Sequence, residues 1–308
     1  METFEYQGRK IHRWSVGAST FLVDPVAGAR LISWFVEMAD GSVRDVIHWP
    51  EDADYENIGK VRGGNPILFP FAGRCHVGGK SGLWQDLSGK TRPMPQHGFA
   101  RDSVFELQDA SETRFRAVLL TDENAVEAYP YNYEFQVSYF FNELGFLVEL
   151  SLRNLEEFPI PWSPGHHFYF TLPWHEGFIR DSYEIQIPAK RALRHLENGE
   201  LQPEELEKRV ENFSFEDASL VNRIHTHLKD SECKFGPKGG EEFVTVRFKE
   251  PESLPSSRAL VTWTESKDAP FFCVEPWMGP PNSPAHRNGL QFVNPGQAAA
   301  FTVEVSLA

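Results

Sequence analysis

The sequence predicts an all-β fold, a large antiparallel β-sandwich with few short helices, and three observations carry that expectation. Short runs rich in Phe, Tyr, Val, Leu and Ile recur along most of the chain, several alternating apolar and polar residues with the period of a half-buried strand. Turn residues separate many of those runs, as in "NELG" at 142–145, "SSR" at 256–258 and "NPGQ" at 294–297. Helical periodicity is sparse.

The strand candidates in chain order are "SVFELQ", "RFRAVLL", "YNYEFQVSYFF", "GFLVELSLRN", "YEIQIPA", "FVTVRF", "ALVTWT", "FFCVEP" and "AAFTVEVSL". The last shows the pattern most plainly. Phe301, Val303, Val305 and Leu307 share one face, and Thr302, Glu304 and Ser306 the other. "PEELEKRVENF" at 203–213 is the best helix candidate, with Pro203 in the first turn and acidic residues after it. "PEDADYENIGK" at 50–60 holds another turn or two. With no internal repeat, low-complexity tail or linker, residues 1–308 read as one domain carrying long loops at 50–100 and 159–181.

Composition narrows the function. Thirty basic against 44 acidic residues give a formal charge of −14, which disfavours nucleic acid and anionic membranes as partners. A local cationic pocket is still compatible with that total. Cys75, Cys233 and Cys273 are odd in number and widely spaced, fitting neither a disulfide framework nor a zinc module. The N-terminal "METFEYQGRKIHRW" lacks the apolar core of a secretion signal, so a reducing, cytoplasmic compartment is expected.

Chemistry-bearing residues cluster in three stretches. "RGGNPILFPFAGRCHVGGK" followed by "MPQHGFARD" brings Arg62, Arg74, Arg101 and His97 into one loop region. Arginine forks suit oxygen-rich ligands, although each could equally be solvated or paired with a carboxylate such as Asp86 or Asp102. "PWSPGHHFYFTLPW" at 161–174 holds His166 and His167, which an extended backbone points to opposite faces, so they form no metal pair. In "FFCVEPWMGPPNS" at 271–283, Glu275 follows a buried run, where a carboxylate must be solvated, paired or functional. A partly buried Glu275 would have its pKa raised toward that of a general base, and Trp277 offers a flat face for a sugar or for the core. No nucleophile elbow, phosphate-binding glycine loop or HExxH is present, and neither a metal nor a cofactor is expected.

Four blocks in order, "RGGNPILFPFAGR", "PQHGFAR", "HHFYFTL" and "FFCVEPW", resemble the aldose 1-epimerases, or galactose-mutarotase-like proteins. They are similar in particular to the branch that includes hexose-6-phosphate mutarotases. The closing "GLQFVNPGQAAAFTVEVSL" fits the same pattern, so the resemblance spans residues 62–307. It implies a β-sandwich with a sugar cleft on its concave face, and a sugar or sugar phosphate as partner of a monomer or weak dimer. By the same resemblance Glu275 is the base at the C1 hydroxyl, His167 the acid at the ring oxygen, and His97 a second histidine that polarises the sugar. Arg62 and Arg101 match arginines of a 6-phosphate pocket, with Arg74 a third candidate. His166 replaces the family's usual Asn, and the sugar-binding strand residue is Asp217 or, in another alignment, Asn222. A non-catalytic carbohydrate-binding or sugar-sensing protein is the alternative, and it would have no use for an acid–base pair across C1.

Overall fold

Two antiparallel sheets packed face to face make up the body of the computed structural model, which describes residues 1–205, 211–250 and 252–308. The larger sheet runs Glu2–Tyr6, Arg9–Val16, Ser19–Asp24, Arg30–Glu37, Val43–Ile47, Phe168–Thr171, Phe271–Trp277, Ala259–Trp263, Arg223–Leu228, Ala189–His195, Leu201–Glu204. The smaller runs Phe105–Ala110, Arg114–Leu119, Tyr133–Asn142, Gly145–Asn154, Ala298–Leu307, Val244–Phe248, Glu232–Pro237, Tyr183–Gln186, Asn212–Ser214. The predicted sandwich is therefore present. Ala298–Leu307 pairs with Gly145–Asn154 on one side and Val244–Phe248 on the other, and its Phe301, Val303, Val305 and Leu307 are buried.

Aromatic side chains join the two sheets. Trp14 meets Phe115, Phe21 meets Phe141 and Trp34 meets Phe146, with ring centroids 5.3, 4.5 and 5.7 Å apart. Such contacts follow from the strand period, which sends every second large residue inward. Phe21→Ala would remove a fully buried ring and cost about 3–5 kcal/mol of stability.

Two expectations need correction. The stretch expected as a loop at 159–181 contains Ile160–Trp162, Gly165–His166 and Phe168–Thr171, the last lying between Val43–Ile47 and Phe271–Trp277 in the large sheet. Phe168, Tyr169 and Phe170 are all buried, so the alternation that marks a half-exposed strand is absent there. In the expected helix 203–213, Pro203 and Glu204 end a strand and Asn212–Ser214 forms another, while 206–210 lie outside the described residues. The turn expected at 50–60 is present as a 3-10 helix, Tyr55–Lys60, whose cap Asp54 accepts from the backbone N–H of Glu56 and Asn57. Among the described residues no helix is long and apolar enough to cross a membrane.

The strand Phe271–Trp277 sets up the site. Phe272 and Val274 enter the sandwich core, while Phe271, Cys273, Glu275 and Trp277 belong to the opposite face. Glu275 and Trp277 on that opposite face line a cleft.

Candidate active site

The cleft has a volume of about 720 Å³ and is walled by the connecting region 59–101 and by residues of Ala189–His195 and Leu201–Glu204 at one end of the large sheet. Glu275, His167, His97, Trp277, Arg62, Arg74 and Arg101, singled out from separate sequence blocks, all line it. Asp217 does not. Its carboxylate caps the 3-10 turn Ala218–Leu220 by accepting from the Ser219 N–H, whereas Asn222, at the end of that turn with φ of 58°, does line the cleft.

Register places the central pair. Gly165 opposes Trp277 and Phe168 opposes Val274, so the same antiparallel register sets His167 across from Glu275. His167 Nε2 lies 3.4 Å from Glu275 Oε2, and both residues are buried. His167 stacks on Tyr169, two residues along the same face, with centroids 4.7 Å apart. His166 goes the other way, stacking on Phe168 and Phe301 in the core. The sequence argument that the two histidines face apart holds.

A buried amide links these neighbours. Asn65 Oδ1 accepts from the His167 backbone N–H at 3.2 Å, and Asn65 Nδ2 lies 2.7 Å from Tyr139 Oη and 3.2 Å from His166 Nδ1. Asn65 reaches this place because Gly64, at φ of 68°, lets the backbone close on Leu31, where a Cβ would stand 2.2 Å from the Leu31 carbonyl oxygen. Sequence reasoning passed over Asn65 and Tyr169. The available signals were a lone amide between paired glycines and a proline, and an aromatic at strand spacing from His167.

His97 is held in the left-handed region at φ of 69°. Its N–H donates to the Gly73 carbonyl at 2.7 Å, and its Nδ1 accepts from the Gly73 N–H at 3.1 Å. A neutral His97 so bonded carries its proton on Nε2, which lies 3.1 Å from the Gln96 side-chain amide. The following Gly98 packs against Phe69, whose carbonyl oxygen would lie 1.9 Å from a Cβ there. The ring of His97 meets His167 and Trp277 edge-on, at 5.4 and 5.6 Å.

Burial governs the protonation of this group. It pushes Glu275 well above the usual carboxylate range, with the Trp277 indole and Arg101 pulling the other way. It also pulls His167 down to about 3, aided by the charges of Arg101 and Arg30, and takes His97 well below its ordinary value. Both directions favour neutral side chains in a water-poor site. Burial thus favours the proton on Glu275 over His167, and a polar ligand that stabilised charge could shift it from carboxyl to imidazole.

Among the described residues five cations line the cleft, Lys60, Arg62, Arg74, Arg101 and Arg194, against one carboxylate, Glu275. Arg62 pairs with Glu265 and lies over the Trp263 ring, and Arg194 pairs with Glu204. Arg74 has no carboxylate within ion-pair reach among the described residues, and Arg101 has only Asp102, at 3.6 Å. The loop bearing Arg62 is fixed from beneath by the buried Arg30, which donates to the carbonyls of Ile58, Val61 and Gly63 at 2.5, 2.6 and 2.6 Å. A carboxyl and an imidazole facing each other under a ring of cations can move protons at adjacent oxygens of a polar, anionic ligand.

Known proteins share this architecture. The family model for aldose 1-epimerase matches residues 25–306. Over 246 residues the chain is 26% identical to chromosomal protein LacX of Lactococcus lactis subsp. lactis, an overlap of 75% of this chain and 77% of that protein. In fold it is similar to a galactose mutarotase-like protein of Clostridium acetobutylicum, with a TM-score of 0.80 at 19% identity, covering 100% of this chain and 98% of that one. It is also similar to a galactose mutarotase related enzyme of Lactobacillus acidophilus, with a TM-score of 0.78 at 19% identity, covering 97% of each chain.

Proposed function

Since the chain belongs to the aldose 1-epimerase family, we propose that it interconverts the α and β anomers of an aldose, with Glu275 as base and His167 as acid. The observation that carries this reading is the buried Glu275–His167 pair at 3.4 Å on the floor of the cleft. Opening a hemiacetal ring requires a proton to leave the C1 hydroxyl and another to reach the ring oxygen bonded to the same carbon. In the productive protonation state the shared proton sits on His167 and Glu275 is ionised. Glu275 then takes the hydroxyl proton as His167 protonates the ring oxygen, and the C1–O5 bond breaks to leave the open-chain aldehyde. Rotation about C1–C2 and reclosure with the two roles exchanged yields the other anomer. His97 Nε2 donates to a sugar oxygen, and Trp277 supplies an apolar face for the ring.

The cationic lining favours an anionic sugar, and a hexose 6-phosphate is the substrate we assign. Arg74 and Arg101 are its best-placed partners, because Arg62 is already engaged by Glu265. The test is magnetisation transfer between anomers by NMR, with purified protein added to glucose 6-phosphate, glucose and galactose in turn. Exchange above the buffer rate with the phosphorylated sugar, reduced more by Arg74→Ala or Arg101→Ala than exchange of the free sugars, supports both parts. Exchange with free sugars alone removes the phosphate. Exchange with none of the three contradicts the assignment of turnover to a hexose and leaves a binding protein.

A further inference from the structure

The mechanism above leaves unused a buried thiol that lies beside the acid–base pair. Cys273 lies two residues before Glu275 on the same face of the strand, fully buried beside Tyr169 and Phe271. Its Sγ, a His167 ring nitrogen and a Glu275 carboxylate oxygen all fall within 4.8 Å of one another. No linear zinc spacing marks these three residues, because two come from one strand and the third from its neighbour.

The geometry points to a binding site for a zinc-like divalent cation made of Cys273, His167 and Glu275, whose occupation blocks the acid–base pair. Thiolate, imidazole and carboxylate are the zinc ligand types, and three protein ligands leave a fourth position open, here toward the cleft. Ligands about 2.0–2.3 Å from a tetrahedral metal stand roughly 3.3–3.7 Å from each other. The 3.4 Å between His167 Nε2 and Glu275 Oε2 already meets that spacing, and Cys273 Sγ need close by no more than about an ångström. A second observation points the same way. Apart from the 3.4 Å approach of His167 Nε2 within the cluster itself, the buried Glu275 Oε2 has no hydrogen-bond partner among the described residues, so its lone pairs are available to a metal.

Charge also balances. One dication, one thiolate, one carboxylate and a neutral imidazole sum to zero, which suits a site with little water. Binding breaks the Cys273 S–H bond and displaces the proton shared by Glu275 and His167, so two protons go to solvent for each metal bound. No oxidant or reductant takes part. With both catalytic groups bound to metal, neither can exchange a proton with a sugar.

The site is read from ligand atoms and does not depend on the sugar assignment, so its test reads metal directly. The metal-free full chain would be titrated with zinc chloride against a chromogenic zinc chelator, and cobalt chloride would serve as a spectroscopic probe. We expect one zinc per chain, at least about tenfold weaker binding in Cys273→Ser, and a thiolate-to-cobalt charge-transfer band in the native chain that the variant lacks. Equal zinc affinity in the native chain and Cys273→Ser, or a cobalt complex of the native chain without a thiolate band, would overturn the proposal. The cobalt spectrum keeps the test decisive should the variant fold poorly. Where a sugar substrate is in hand, zinc should inhibit the native chain reversibly with a chelator and spare Cys273→Ser.

Discussion

His166 and His167 are adjacent in the chain, both deeply buried, and both pulled down to about 3 by that burial. Their surroundings nevertheless give them different work. His166 stacks between Phe168 and Phe301 inside the sandwich, with its Nε2 unpartnered among the described residues. His167 faces the cleft, with Glu275 opposite and His97 at its edge. A shifted pKa therefore does not identify a functional histidine in this fold. The face of the strand does, together with a proton-sharing partner on the neighbouring strand.

The largest effect expected from breaking this asymmetry is on the cleft side. Glu275→Gln keeps the shape but removes the base, and anomer exchange should fall by about 10²–10⁴-fold. Retention of full exchange by that variant would remove Glu275 from the mechanism. The same variant should melt higher at neutral pH. A carboxyl whose folded-state pKa is raised contributes stability that is fully present below its unfolded value and is lost as pH rises through the folded one. The gain should therefore vanish when both proteins are melted near pH 4.

Asn65 connects the two sides, and its loss should have an intermediate effect. Asn65→Ala frees the His167 N–H and leaves Tyr139 Oη and His166 Nδ1 without their amide partner. Stability should drop by about 1–3 kcal/mol, the usual cost of orphaned buried polar groups. Asn65 acts through His167, so kcat should fall by about tenfold with KM little changed. A rise in KM at constant kcat would make Asn65 a binding residue instead.

The smallest effects belong to the core side. His166→Asn should leave exchange within about threefold of native. It should also alter the acid response. A histidine held neutral in the fold but protonated in the unfolded chain costs stability as pH falls from about 6.5 toward 3, so native melting should steepen over that range. Removing His166 should shallow the slope by up to one proton, about 1.4 kcal/mol per pH unit. An unchanged slope in the variant would show that His166 is protonated in the folded protein.

Much of this was legible in the sequence, for physical reasons that differ by residue. Phe301 to Leu307 announces its strand because one side is buried and the other wet, so the period of two survives in composition. Phe168 to Thr171 hides its strand because helically patterned and fully buried runs lack that alternation equally. The opposition of His166 and His167 follows from backbone geometry alone. Glu275 stood out because an acid after four buried residues is costly without a purpose. Asp217 misled because an acidic residue at a strand approach serves turn capping as readily as sugar binding, and here it caps. Cys273 gave no ligand signal in the sequence, since Glu275 shares its strand but His167 comes from the neighbouring one.

The central claim is that the cleft-facing histidine, and not its buried neighbour, works with Glu275. The most direct measurement is anomer exchange by NMR for His167→Asn and His166→Asn, prepared together and each shown to be folded. The account predicts that His167→Asn falls toward the buffer rate while His166→Asn stays near the native rate. Equal losses in both, or a loss confined to His166→Asn, would contradict it.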